Sequence, residues 1–189
     1  MYIKYIENFL SNDECDDLIL LGESNELNPM KSTHIANGKI VEANIAYEGN
    51  KRTGCFFENE MLEISILKNL SNKIINLSNE LNPFKGITYN GVRSYSFNKY
   101  GVGDFLNWHS DGHEILNGAT LTYLIQLNDG YENGHVKYSI NDIEYNINKK
   151  KGSVFIFDSN VLHSIEKIKK GTRYSLNVWP SKMIEKSLI

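Results

Sequence analysis

Asn107-Trp108-His109-Ser110-Asp111-Gly112 is the stretch on which the reading of this 189-residue chain turns. His109 and Asp111 stand two apart, and in an extended strand residues i and i+2 face the same side. An imidazole and a carboxylate then project side by side from one backbone segment. Such a pair suits a divalent metal but cannot close a site alone. One more histidine on the same face would complete a two-His-one-carboxylate set. A lone His-x-Asp is more often a hydrogen-bonded pair on a turn, so its meaning depends on the rest of the chain.

Outward from this stretch, the sequence from Ile87 onward consists of short apolar-rich runs separated by Gly and Asn turns. The predicted strands are 89–98, 104–109, 119–127, 135–139, 142–147, 152–157, 161–166 and 172–179. About eight short, evenly spaced strands indicate a sandwich or barrel, of which the double-sheet jelly roll is the eight-stranded form.

Upstream the pattern is helical. Residues 1–9 alternate and read as a short strand. Ser11 then reads as an N-cap with Glu14 three residues on, a capping box. Cys15, Leu18, Ile19 and Leu21 form the apolar face of this helix, and Gly22 interrupts it or lies near its end. Lys39 to Tyr47 reads as a strand. Asn59 to Leu81 is the longest helical pattern, with Leu62, Ile66, Leu70, Ile74, Leu77 and Leu81 at threes and fours, and Asn82-Pro83 ends it. The layout is a helical support layer over 1–86 and a jelly-roll core over 87–180, within one domain spanning 1–189.

Hydrophobic residues at 41% and charged residues at 23% are those of an ordinary globular protein. A formal charge of −3 leaves no electrostatic footprint for nucleic acid. Cys15 and Cys55 form no zinc spacing and are too few for a disulfide framework. No run approaches the length of a membrane span, and no secretory signal opens the sequence. These features predict a reduced, cytoplasmic setting. Oligomeric state stays open.

Two residues of the β-core complete the pattern. His163 lies among apolar neighbours in Val161-Leu162-His163-Ser164-Ile165, on a late strand. Ten residues on is Arg173, whose strand places Arg173, Ser175, Asn177 and Trp179 on one face and Tyr174, Leu176 and Val178 on the other. An inward arginine on a buried strand is costly unless an anion meets it. That anion is either an internal carboxylate, Asp158 or Glu166, or the carboxylate of a bound co-substrate, which a guanidinium fork grips bidentately.

His109-x-Asp111, His163 and Arg173, in that order and spacing, resemble the 2-oxoglutarate- and Fe(II)-dependent dioxygenases, in particular their prolyl 4-hydroxylase-like branch. The resemblance covers most of residues 93–179. Arg93 to Tyr100 with Gly103, Leu121 to Asp129, Asn133 to Tyr138 and Lys151 to Phe157 are similar to successive strands of that superfamily. It implies a double-stranded β-helix core, jelly-roll or cupin-like, in an α+β fold whose N-terminal helices pack on one sheet. It also implies that His109, Asp111 and His163 hold Fe(II) and that Arg173 anchors 2-oxoglutarate. The reaction implied is O2-dependent hydroxylation of an unactivated C–H, with a prolyl residue of a peptide or protein as substrate, and ascorbate is left open as a reductant.

The chain departs from the pattern in places. Leu106 stands where the family often has tyrosine, and Gln126 stands where relatives often place a co-substrate-contacting tyrosine. A Gln amide still donates to a carboxylate, so Gln126 and Tyr100 join Arg173 as candidate co-substrate residues. His113, His34 and His135 read as peripheral, and the lysines at 149–151 and 167–170 as solvated turns. Three other readings are an oxygenase of the same fold acting on a small molecule or a nucleic-acid alkyl lesion, a non-catalytic jelly-roll binding module, and a cupin. The nucleic-acid branch carries a second Arg six residues beyond the first, and that position is Trp179 here.

Overall fold

In chain order the elements are β1 (Ile3–Ile6), α1 (Asn12–Glu23), β2 (Asn28–Pro29), β3 (Thr33–Ala36), β4 (Lys39–Glu42), β5 (Asn50–Lys51), β6 (Thr53–Phe57), a 3-10 turn (Asn59–Glu63) and α2 (Ser65–Leu81). Then follow β7 (Ile87–Tyr100), β8 (Phe105–His109), β9 (Leu121–Gln126), β10 (Glu132–Asn133), β11 (Val136–Ile140), β12 (Ile143–Asn146), β13 (Val154–Asp158), β14 (His163–Ile165), β15 (Ile168–Lys170) and β16 (Arg173–Ile184). The structure is a computed structural model that describes residues 1–30, 33–36, 39–42, 50–84, 86–112 and 121–184. His113 and residues 43–47 of the predicted strand 39–47 lie outside the described residues.

A larger sheet runs β1-β13-β9-β16-β7-β6-β2 and a smaller one β12-β11-β14-β8-β5. All the strand pairings in these two sheets are antiparallel among the described residues. The two sheets face one another, and the helices cover the outer face of the larger one, which makes a double-stranded β-helix with a helical support layer. Strand β9 is buried at every position, as a strand must be when both of its faces are covered. Leu121, Tyr123 and Ile125 point to the helices, where they meet Cys15, Leu18, Leu67, Leu70 and Ile74. Leu124 points the other way, into a second apolar cluster between the sheets with Leu106, Val136, Phe155, Phe157 and Ile165. β16 obeys the same rule: Leu176 and Val178 belong to the helix-side core, while Arg173 and Ser175 are buried between the sheets.

Helix α1 opens on the capping box: Glu14 N donates to Ser11 Oγ (3.1 Å) and Ser11 N to Glu14 Oε2 (2.8 Å). Gly22 lies in the last turn, where a Cβ would come within 2.5 Å of the Phe97 ring, so only glycine lets the helix rest on β7. The single helix predicted over 59–81 is in fact two pieces. Ile64 is extended (φ −65°, ψ 133°) and separates the 3-10 turn from α2. The stripe that packs is Leu67, Leu70, Ile74 and Ser78, whereas Leu62 is left exposed. The β11–β12 hairpin turns on Asn141 and Asp142, both with positive φ, the backbone that a two-residue I′ turn requires. Among the described residues no helix is long and apolar enough to cross a membrane.

Candidate functional site

Strands β8 and β14 bring the first two site residues together. His109 is the register partner of His163, and Leu106 is the partner of Ile165. Asn107 and Trp108 therefore oppose Ser164 alone, which is a β-bulge. Leu106 is buried between the sheets, so a regular strand would turn His109, three residues on, to the opposite face. The bulge returns His109 to the inner face. Asp111 lies beyond the end of β8, so the pair does not arise from strand alternation alone. Its position is set by the next peptide: Gly112 N donates to Ser159 O (2.7 Å), and a Cβ at Gly112 would collide with Asn160 Oδ1.

One ligand atom from each of His109, Asp111 and His163 lies within 4.8 Å of the others. Asp111 Oδ1 is 3.5 Å from His109 Nε2 and 3.8 Å from His163 Nε2. Each imidazole is turned by its other nitrogen, which meets a backbone carbonyl: His109 Nδ1 with Asn107 O (2.8 Å) and His163 Nδ1 with Val161 O (3.0 Å). With Nδ1 protonated in both rings, both Nε2 lone pairs face the carboxylate, the orientation in which histidine ligates a metal. His163 Nε2 is buried and has no hydrogen-bond partner, which fits a nitrogen that ligates a metal. Burial pushes the His163 imidazole down to about 4, so it is neutral near pH 7. Burial opposes ionisation of Asp111, but His163, His109 and Thr122 outweigh it and hold the carboxyl well below its usual range. The side chains are 1% exposed at His163, 10% at Asp111 and 30% at His109, so the site opens on the His109 side. Two imidazoles and one carboxylate form the facial donor set suited to non-haem Fe(II).

Arg173 is fully buried on the facing inner face, that of the larger sheet. It is paired with neither Asp158 nor Glu166. Asp158 Oδ1 accepts from Asn160 N (3.0 Å), and Glu166 pairs with Lys137 and His135, both at 3.0 Å. The arginine's partners are neutral: Nη1 donates to Ser175 Oγ (2.9 Å) and Nη2 to Gln126 Oε1 (3.1 Å), while the guanidinium carbon sits 5.1 Å from the centre of the Tyr100 ring. Arg173 Nε is buried without a partner. A buried cation with neutral neighbours and a free N–H fits a ligand carboxylate.

Gln126 is beside Arg173, but its amide N–H groups are committed. Nε2 donates to Tyr131 Oη (2.7 Å) and to Asn128 O (2.8 Å). Sequence reasoning passed over Tyr131, a single aromatic in a Gly and Asn turn that the fold buries against Gln126. It also passed over Thr122, whose Oγ1 donates to Asp111 Oδ2 (3.1 Å) and meets Ser159 Oγ at 3.0 Å. Arg52 was missed as well; it looks like one of a surface Lys-Arg pair, yet its Nε donates to buried Asn98 Oδ1 (2.8 Å). His135 is held in the Glu166 pair, and His34 lies in β3. An aromatic row extends from the metal group across the smaller sheet: His109 pairs with His163, His163 with Tyr138 and Tyr138 with Tyr145.

The model of the family described as the 2OG-Fe(II) oxygenase superfamily matches residues 95–181. The fold is similar to that of a Pseudomonas putida prolyl-4-hydroxylase (TM-score 0.71, 17% identity, covering 98% of this chain and 93% of that one). It is also similar to the viral collagen prolyl hydroxylase of Paramecium bursaria Chlorella virus-1 in its 2OG complex (0.68, 16%, 97% and 97%). A Trichoplax adhaerens prolyl hydroxylase in complex with a hypoxia-inducible-factor peptide matches at 0.71 and 18% identity, over 94% of this chain and 82% of that one. No curated protein matches the sequence. Residues 95–181 thus match the 2OG-Fe(II) oxygenase superfamily, and the whole described fold is similar to that of prolyl 4-hydroxylases.

Proposed function

We propose that the chain is an Fe(II)- and 2-oxoglutarate-dependent dioxygenase that hydroxylates a prolyl residue of a peptide or protein. The observation that carries the reading is that a metal-donor group and a buried arginine face the space between the sheets from opposite sides. His109, Asp111 and His163 present their donors to a common point, and His163 Nε2 lacks a partner. Arg173, on the facing sheet, is buried with no carboxylate. A metal completes the first and a dicarboxylic co-substrate the second. When bound, Fe(II) and 2-oxoglutarate supply the oxidising chemistry, with O2 consumed and succinate and CO2 released.

The chain's own residues bind and orient. His109, Asp111 and His163 would hold the metal, whose chemistry is the activation of O2. Arg173 grips the far carboxylate, and its guanidinium is kept in place by Ser175, Gln126 and the Tyr100 ring. Leu124, Phe155, Phe157 and Ile165 keep water from the space between the sheets. The prolyl part of the reading rests on the aromatic row. Tyr138 and Tyr145 stack with centroids 5.1 Å apart, and Tyr145 is 42% exposed. Aromatic-lined surfaces of this kind take extended Pro-rich segments. The peptide held by the Trichoplax neighbour supports the same substrate class.

The test is anaerobic addition of Fe(II) and 2-oxoglutarate, followed by exposure to O2. A weak visible charge-transfer band, succinate formation and a gain of one oxygen in a proline-rich peptide are expected, all lost in His109→Ala. No band and no succinate from the unmodified protein would sink the oxygenase reading. Succinate without any peptide mass gain would sink the prolyl substrate alone.

A further inference from the structure

Arg52 sits where the chain crosses from one sheet to the other. Asn50 and Lys51 pair with Leu106 and Phe105 of β8, the strand that ends in His109. Thr53 and Gly54 pair with Lys99 and Asn98 of β7. Between these pairings the Arg52 side chain meets the inner face of the larger sheet and donates from Nε to Asn98 Oδ1, a side chain that is 1% exposed. Arg52 Nη1 is buried and has no hydrogen-bond partner.

Two features place that free N–H within the site. Asn98 is the register partner of Ser175, and Ser175 accepts from Arg173, so both guanidiniums are anchored to the same wall. Arg52 also follows directly on Asn50 and Lys51, which pair with β8, the strand that ends in His109, and this puts it on the metal side of Arg173. Nearby acids are engaged elsewhere: Asp104 pairs with the adjacent Lys51 (3.2 Å), and Asp111 faces His109 and His163. The wall therefore holds two cations, each with an unused buried N–H and neither with an ionic partner among the described residues. Buried charges are normally paired. Two such cations on one wall, one close to the metal group and one farther away, match the two ends of a dicarboxylate.

We propose that Arg52 is the second cation of a dicarboxylate clamp. Its Nη1 takes the carboxylate of the 2-oxo acid next to the metal, while Arg173 takes the far one. The inference rests on the co-substrate reading above and assigns a role within it that no sequence motif indicated.

Calorimetry on Zn(II)-loaded protein tests it without turnover, with 2-oxoglutarate and 2-oxovalerate as probes; the second lacks the far carboxylate. Arg173→Gln should weaken 2-oxoglutarate and leave 2-oxovalerate unchanged. Arg52→Gln should weaken both, by about tenfold or more, since a charge-assisted hydrogen bond is lost. Arg52→Lys, which keeps the charge without the fork, should fall between. Zn(II) affinity should hold in both Arg52 variants, whereas some fall in melting temperature is expected because Asn98 Oδ1 loses its donor. Unchanged binding of both probes by Arg52→Gln would overturn the proposal, and so would an equal loss of Zn(II) affinity, which would mark Arg52 as structural. Failure of the unmodified protein to bind 2-oxoglutarate at all would instead defeat the co-substrate reading.

Discussion

His109 stands opposite His163 in the β8–β14 ladder only because Asn107 and Trp108 together occupy the place facing Ser164. Adding one residue opposite the bulge, between Ser164 and Ile165, should restore regular pairing and turn His109, three residues past Leu106, outward. An alanine inserted between Ser164 and Ile165 is expected to leave a folded chain, judged by circular dichroism, and to lower Zn(II) or Fe(II) affinity by about 100-fold. Metal binding at the original strength would mean that the bulge does not aim the ligand.

Thr122 is the outer support of the carboxylate, donating to Asp111 Oδ2. Thr122→Val keeps the shape and removes the donor. Groups behind the ligands typically contribute 10–100-fold to metal affinity, so a fall of about tenfold is expected in a competition titration with a chelating dye, with Thr122→Ser close to the unmodified protein.

Gly112 has no room for a side chain because Asn160 Oδ1 and Ser159 O crowd the place of its Cβ. Gly112→Ala is expected to cost about 1–3 kcal/mol in urea denaturation, as overpacked sites do, and to weaken metal binding by shifting Asp111. Asn160→Ala in the same chain should recover part of both. No recovery would locate the strain at the Ser159 carbonyl instead.

Gln126 couples Arg173 to Tyr131 through opposite ends of one amide. Gln126→Leu strands a buried N–H on Arg173 and is expected to cost about 1–3 kcal/mol. It should also weaken 2-oxoglutarate binding, although Gln126 has no N–H left to offer the ligand. An unchanged denaturation midpoint would remove Gln126 from its positioning role.

Glu166 supplies a pH-dependent contribution to stability. Burial works to raise its carboxyl, but Lys137 and His135 outweigh this and hold it below the ordinary carboxylate value. The stabilisation is present above the unfolded value of about 4.3 and is lost as pH falls through the lower folded value. The gap in melting temperature between the unmodified protein and Glu166→Gln should be full at pH 6–7 and close on acidification below about pH 4. A gap independent of pH would show that the ion pairs contribute nothing.

The parts of the site that were legible in the sequence are those set by residue type and alternation. Arg173, Ser175 and Asn177 were assigned to one face of a strand, and Arg173 and Ser175 are buried between the sheets. The capping box at Ser11 formed as its spacing predicts. The sequence marks Gln126 as a candidate co-substrate residue, but its contact with Arg173 and the commitment of its amide to Tyr131 depend on a loop conformation that no periodicity encodes. Arg52 was illegible for a similar reason: a charged pair in an N-terminal segment reads as solvated surface until β5 and β6 are seen to sit on different sheets. The helix over 59–81 broke at Ile64 because spacing at threes and fours also describes a 3-10 turn followed by a helix.

Strand β9 alternates Leu121, Tyr123 and Ile125 with Thr122, Leu124 and Gln126, one set against the helices and the other toward the site. Adjacent codons along this strand therefore answer to different selective pressures. Substitutions at 121, 123 and 125 would be filtered by abundance in the cell, and those at 122 and 126 by turnover. A saturation scan of six consecutive positions should show the two phenotypes interleaved with a period of two. Such a scaffold can change its ligand chemistry by single steps while the shell that keeps it folded stays constant.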